Sequence, residues 1–247
     1  MIQLSYSPRV SNFVDAADVS GNIRNVPLYL QYLHQIDVAC KKADITTGAV
    51  YPIVGGNATS HSFNFLDPRD LDAAFRLTFK GTWTHDNQGA FSINTAYANT
   101  FITPFVDLSP TDCHISLMGS INNRNSMGAT TTVTNRISLQ IAGNLNNFYI
   151  GAFGPEIRAI TASNLCIGSQ LGSTAYISIN RMISSTANVT TILPNFPIYI
   201  GAINNGNTPG TPSSQNHQFC SVGKNIDMIK SKAFSHGIYT AQRSIGR

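Results

Sequence analysis

The chain has 247 residues, a net charge of +4, 42% hydrophobic residues and only 11% charged ones. That apolar share supports a real core, while the mild, scattered positive charge lacks the dense basic face of a nucleic-acid binder. Glu156 is the sole glutamate against 24 asparagines, a composition that favours turns and strand surfaces over solvated helices.

In chain order, residues 1–26 are polar and mixed, punctuated by Pro8 and Gly21. They are predicted to form an extended N-terminal attachment arm. Leu4, Tyr6, Val10, Phe13 and Val14 would otherwise be wasted on solvent, so the arm is expected to dock on a partner. "MIQLSYSPRVSNFVDAADV" has no continuous apolar core with a basic flank, so no secretory signal is expected. Residues 27–44 are predicted to be a helix. Pro27 suits its first turn, Tyr29, Leu33, Ile36, Cys40 and Ala43 recur at helical spacing, and Lys41 and Lys42 sit where a helix favours cations.

From Ile45 to Gly223 the pattern is β. "FRLTFKG" (75–81), "CHISLMG" (113–119) and "NRISLQIAG" (135–143) alternate, and "NFYIGAF", "AYISINRMI", "PIYIGAIN" and "HQFCSVG" are rich in β-branched and aromatic residues. "SINNRNSMG", "AGNLNN" and "INNGNTPGTPSSQN" separate them as turns. About ten to twelve short strands of this kind predict an antiparallel β-sandwich or barrel. The absence of βα alternation excludes a parallel nucleotide-binding sheet. "NIDMIKSKAFSHGIYTAQRSIGR" predicts a short C-terminal helix with Ile226, Ile229 and Ala233 on one face. Gly237 weakens that helix by about 1 kcal/mol. No window approaches the roughly 18 apolar residues that span a membrane.

Reactive motifs are scarce. His34, His61, His85, His114, His217 and His236 form no zinc-binding spacing, so no metal and no cofactor is expected. His85-Asp86 in "GTWTHDNQG" is the most suggestive pair, either part of a ligand site beside Trp83 or a strand-capping turn. The turn reading is preferred. Asp67, Asp70 and Asp72 could bind calcium, but Arg69 and Arg76 favour local ion pairs. A glycosidase needs two carboxylates facing one sugar, and Glu156 has no partner acid nearby in sequence. Cys40, Cys113, Cys166 and Cys220 have no CxxC spacing and read as buried thiols. Two sequons, at Asn57 and Asn188, carry no weight without a secretory signal. No catalytic residue is assigned, no ligand-binding residue is named, and the chain is expected not to be an enzyme.

"AVYPIVGGNATSHSFNFLDPRDLDAAFRLTFKGTWTHDNQG", "TAYANTFITP", "CHISLMGSINN", "PIYIGAINNGN" and "NHQFCSVGKNI…YTAQRSIGR" follow one another in order. As a set they resemble a concanavalin A-like (laminin-G-like) jelly-roll module of bacteriophage tail, fibre and head-surface proteins. The resemblance covers residues 45–247. It implies a mainly β jelly-roll sandwich in which Tyr51-Pro52 leads into the first strand and Gly55-Gly56 allows a tight reversal. Phe63 and Phe65 would face one way from their strand and Asn64 the other. The resemblance also implies a virion structural protein assembled in the host cytoplasm, a spike, penton, fibre or decoration subunit. Its arm would bind other virion proteins, and a homo-oligomer is expected. The alternative is a carbohydrate-binding receptor-recognition module that contacts a host-surface glycan. A polysaccharide-cleaving enzyme is the remote alternative.

Overall fold

The computed structural model describes residues 6–19, 21–119, 124–142, 145–152, 154–158, 165–179, 182–188, 192–212 and 214–247. Leu4 of the expected arm, the first four residues of the "SINNRNSMG" turn, Phe153, the Asn180-Arg181 pair and the end of the second sequon lie outside them.

The described part of the expected extended arm is a helix, α1 (Pro8–Ala17). Ser7 stands at its N-cap, its Oγ accepting from the Val10 N–H, and Pro8 occupies a first-turn position where a missing N–H does no harm. Val10, Phe13, Val14 and Ala17 are buried, and the Phe13 ring meets Phe65 edge-on at 5.4 Å. Tyr6, Val10, Phe13 and Val14 thus pack against the chain itself. Next comes α2 (Pro27–Lys42), two residues short of the predicted end. Asp37 of α2 is buried and accepts from Arg9 at 3.1 Å and Lys41 at 2.6 Å, which ties α1 to α2.

The strand β1 (Ala49–Tyr51) leads to Gly55 and Gly56, both with positive φ, and then to one helical turn, α3 (Ala58–Ser62), capped by Asn57. Residues 63–66 are not a strand as expected. Phe63 and Phe65 do both enter one apolar cluster. Asn64 replaces a ladder with its side chain: Oδ1 accepts from the Val50 and Leu66 N–H groups, and Nδ2 donates to the Gly48 and Ala74 carbonyls. A 3-10 turn at Asp72–Ala74 follows. The remaining elements are β2 (Thr78–Asp86), β3 (Gly89–Asn99), α4 (Pro104–Asp107), β4 (Asp112–Gly119), β5 (Arg124–Thr132), β6 (Asn135–Ala142), β7 (Leu145–Ile150), β8 (Glu156–Ile157), β9 (Cys166–Leu171), β10 (Thr174–Ile179), β11 (Met182–Ala187), β12 (Tyr199–Ile200), β13 (Ile203–Asn205), β14 (Thr208–Gly210), β15 (Asn216–Gly223) and α5 (Met228–Ser244). "AYISINRMI", expected as one strand, contributes to two, and the "INNGNTPG" turn contains the β13–β14 hairpin.

The molecule is mainly β. Fifteen strands form one sheet with the path β11-β10-β9-β4-β15-β3-β12-β5-β6-β7-β8. All pairings are antiparallel except β13 with β5. Two separate layers would need a break in this path. None occurs, because β12 pairs with β3 on one side and β5 on the other. The sheet instead bends so that β4, β9 and β10 face β5, β6 and β7, and its two end strands, β8 and β11, nearly meet. Ile115, Leu117 and Ile177 from one half pack with Met127, Leu139 and Phe148 from the other. Gly168 is required at that contact, since a Cβ there would lie 2.1 Å from the Phe148 ring.

Helices α1, α2 and α5 cover the outer face of β4, β9 and β15, where Met118, Ile167 and Phe219 join Tyr32, Ile36 and Phe234. "CHISLMG" and "HQFCSVG" are therefore buried on both faces despite their alternation. Their polar members bond to one another. Ser116 Oγ lies 2.6 Å from Ser221 Oγ, and His114 Nε2 lies 2.9 Å from the same oxygen. The C-terminal helix is not short: α5 runs 17 residues, straight through Gly237. Its Gln242 donates to the Tyr32 hydroxyl and the Gln218 carbonyl, anchoring the helix layer to the sheet. Val10, Phe13, Tyr32, Leu33, Ile36 and Ala43 thus share one apolar cluster with Met118, Ile167, Phe219 and Phe234.

Candidate functional site

The pair singled out in "GTWTHDNQG" divides on folding. Asp86 Oδ1 accepts from the Gln88 and Gly89 N–H groups and shapes the β2–β3 turn. His85 goes elsewhere. Its ring lies 4.6 Å from Phe79 and stacks on half-buried Trp83 at 6.1 Å, and its Nδ1 sits 3.0 Å from His61 Nδ1. One ring must donate and the other accept, so at least one of the two is neutral. Burial, reinforced by the neighbouring His85, holds His61 down to about 2. Burial also lowers His85, against the opposing pull of Asp86. A polar cavity of about 460 Å³ opens beside them, bounded by Asn22, Asn25, Tyr29, His85 and Asp86. No spacing in the sequence signals the His61–His85 contact. Among the described residues no three His, Cys, Asp or Glu side chains converge on a metal position.

The acids are occupied. Asp67 pairs with Arg69 and Asp70 with Arg76, the local pairs favoured over calcium. Glu156 lies 3.7 Å from Arg158 on an exposed edge. Asp15, Asp37, Asp44 and Asp227 also hold cations. Asp18, Asp86, Asp107 and Asp112 accept from nearby backbone or amide groups. Among the described residues only Asp72 has neither task. The four cysteines are buried free thiols, pushed above their ordinary value by burial.

A concavity of mixed polar and apolar lining lies on the outer face of β5 and β6, the half of the sheet that the helices leave uncovered. It encloses about 350 Å³. Arg136, Ser138 and Gln140 alternate along β6 and so share this face. Thr130 flanks them on β5, while Ile203, Asn205 and Thr211 of the β13–β14 hairpin form one wall. Val133, at the β5–β6 turn, forms the rim and is 75% exposed. Gly128 beneath them allows β5 to approach β6 closely, for a Cβ there would sit 2.3 Å from the Ile137 carbonyl oxygen.

Two features mark this groove. Ser138 is 1% exposed, yet its Oγ has no hydrogen-bond partner. Arg136 sits over Tyr149, its guanidinium carbon 3.7 Å from the ring centroid. Its Nε donates to the Gly151 carbonyl at 3.2 Å and its Nη2 to the Ala152 carbonyl at 3.0 Å. Among the described residues no carboxylate pairs with it, and burial lowers its pKa. The period-two spacing of "NRISLQ" was the available sequence signal for the floor. Nothing in the sequence placed the β13–β14 wall above it.

A second surface is apolar. Leu171, Met228 and Ile229 border a depression of about 500 Å³ at the start of α5. No described helix is long and apolar enough to cross a membrane.

No family model matches the chain, and no curated protein matches it. Solved structures do. A mutant of Trypanosoma rangeli sialidase displaying trans-sialidase activity aligns over 89% of this chain and 40% of its own, with 10% identity and a TM-score of 0.51. Domain 4 of AbnA, a GH43 extracellular arabinanase from Geobacillus stearothermophilus in complex with arabinotriose, aligns over 76% of this chain and 97% of its own, with 13% identity and a TM-score of 0.49. NanB sialidase from Streptococcus pneumoniae aligns over 59% of this chain and 27% of its own, with 12% identity and a TM-score of 0.44. The chain thus spans less than half the length of either sialidase. The Trypanosoma likeness is one of fold.

Proposed function

We propose that this chain is a non-catalytic carbohydrate-recognition module. One observation carries the reading: the β5–β6 groove offers hydroxyls, amides and a guanidinium, and no carboxylate lines it. Sugar recognition needs convergent polar groups in a concave site. Most glycosidases use two carboxylates across the bond, and every acid of this chain except Asp72 holds a cation or accepts from nearby backbone or amide groups. The fold shared with a sialidase supports a carbohydrate ligand and does not bear on catalysis. An array of neutral and acidic oligosaccharides probed with the purified chain tests it. Saturable binding is expected, and a blank array refutes it. Incubation with the bound oligosaccharide should release no product.

The ordered motifs of residues 45–247 favour a specific setting, the surface of a bacteriophage particle. There the module would be a spike, fibre or decoration subunit facing the host. A sheet that bends over one core also supports the finer assignment to the concanavalin A-like jelly rolls. Antibody labelling of purified particles should decorate their surface, and particles lacking the chain would refute this placement.

A further inference from the structure

We infer that the β5–β6 groove binds a saccharide bearing a carboxylate, with Arg136 holding the acid and Ser138 a ring hydroxyl. This rests on the recognition role proposed above and names its ligand class.

A guanidinium carries five N–H donors in a fixed plane. In Arg136 the Gly151 and Ala152 carbonyls take the Nε and Nη2 edge and hold the group over the Tyr149 ring. Nη1 has no protein partner among the described residues. The cation is thus held in place by neutral acceptors and left without its counter-charge. A planar, pre-oriented guanidinium suits a carboxylate, and charge-assisted bonds are the stronger kind. No acid lines the groove to compete for it or to repel an anion.

Ser138 supplies the second, independent observation. A buried hydroxyl without a partner is unfavourable until something fills the role. Ser138 lines the groove on the same face as Gln140 and stands in register, through Gly128, with Ile203. The Ser138 hydroxyl and the Gln140 amide match the mixed donor and acceptor character of sugar hydroxyls. Ile203 and the exposed rim residue Val133 offer apolar surface to the C–H face of a ring. The volume of about 350 Å³ lies at the small end of ligand sites and suits one or two sugar rings rather than a long chain.

The test uses the whole chain and an array with neutral, uronate-bearing, sialylated and sulfated arms, followed by titration calorimetry with the best carboxylated oligosaccharide and its carboxamide. The carboxylate should bind about tenfold more tightly than the carboxamide, the effect of one charge-assisted contact, and added salt should narrow the gap. Arg136→Gln should abolish the difference. Ser138→Ala should weaken both ligands about fivefold, as loss of one hydrogen bond implies, with the melting temperature of the free chain no lower than before. Equal binding of carboxylate and carboxamide by the unaltered chain overturns the acid assignment without needing any variant. Binding confined to the sulfated arm overturns it too. Tight binding that neither substitution alters moves the site elsewhere and leaves the recognition role standing. Silence on every arm overturns both.

Discussion

Replacing Gly237 with alanine should weaken the fold, although alanine is the better helix former. In an exposed helix the change gains about 1 kcal/mol. Here α5 lies against α2, and a Cβ at position 237 would stand 2.8 Å from the Ala39 Cβ. Carbon atoms prefer about 3.5–4.0 Å, so the helices must separate by roughly an ångström or the methyls must overlap. Ala39 is buried and its methyl has no rotamer to offer. Overpacking of this kind costs about 1–3 kcal/mol, which offsets the propensity gain and leaves a net loss of about 1 kcal/mol. Urea unfolding of a double-mutant cycle isolates the contact. In an Ala39→Gly background, Gly237→Ala should become stabilising by its propensity, about 1 kcal/mol. The coupling should therefore approach 2 kcal/mol, well above the few tenths expected of independent sites. A coupling under about 0.5 kcal/mol, or a single Gly237→Ala variant that melts higher, would refute the close packing of α2 on α5.

Three further outcomes follow from the same layers. Asn64→Ala strips the side chain that bonds four backbone groups around β1. At about 1 kcal/mol or more for each buried group left unmade, chemical denaturation should show a loss of roughly 3–5 kcal/mol, and a loss below about 1 kcal/mol would mean water replaces it. Asp37→Asn leaves the Arg9–Lys41 bridge between α1 and α2 without its anion. Arg9 and Lys41 both reach solvent, so the substitution should cost about 1–2 kcal/mol, the worth of hydrogen bonds to a charged group, and raise hydrogen exchange first in residues 8–17. Stability should also fall on mild acidification. Burial holds native His114 down to about 4, His217 to about 3 and His61 to about 2, against 6.5 in an open chain. Below that ordinary value the unfolded chain takes up protons that the native state refuses, so stability is complete above it and declines as pH drops. Between pH 6.5 and 5 each such histidine removes on the order of 2 kcal/mol, and urea midpoints that stay level over that range would contradict three buried neutral rings.

What the sequence disclosed was local. Periodicity found α2, most of the strands and the absence of parallel βα units, because spacing along the chain encodes which face is apolar. It misread residues 8–17 because their apolar face had no visible partner, and the partner, α2 with Phe65, is supplied only by folding. It undervalued α5 for a related reason. Propensity priced Gly237 as a weakness, whereas tertiary packing needs a residue without a side chain there. His61 and His85 are 24 residues apart, and no rule of spacing joins them.

The groove follows the same division. Alternation along "NRISLQ" fixes Arg136, Ser138 and Gln140 on one face of β6, and a polar strand face alone would be an ordinary solvated surface. It becomes a site only because the β13–β14 hairpin rises beside it, set there by a parallel pairing of Ile203–Asn205 with Gly128–Thr130. Helices cover the other half of the sheet, where serine and histidine side chains satisfy one another. The exposed half retains a partnerless serine and an arginine without an acid. Polar groups buried in a core are bonded as a rule. Ser138 Oγ, unmatched where the groove meets the core, is where the proposed ligand would supply the missing half, beside an arginine that calls for a single negative charge.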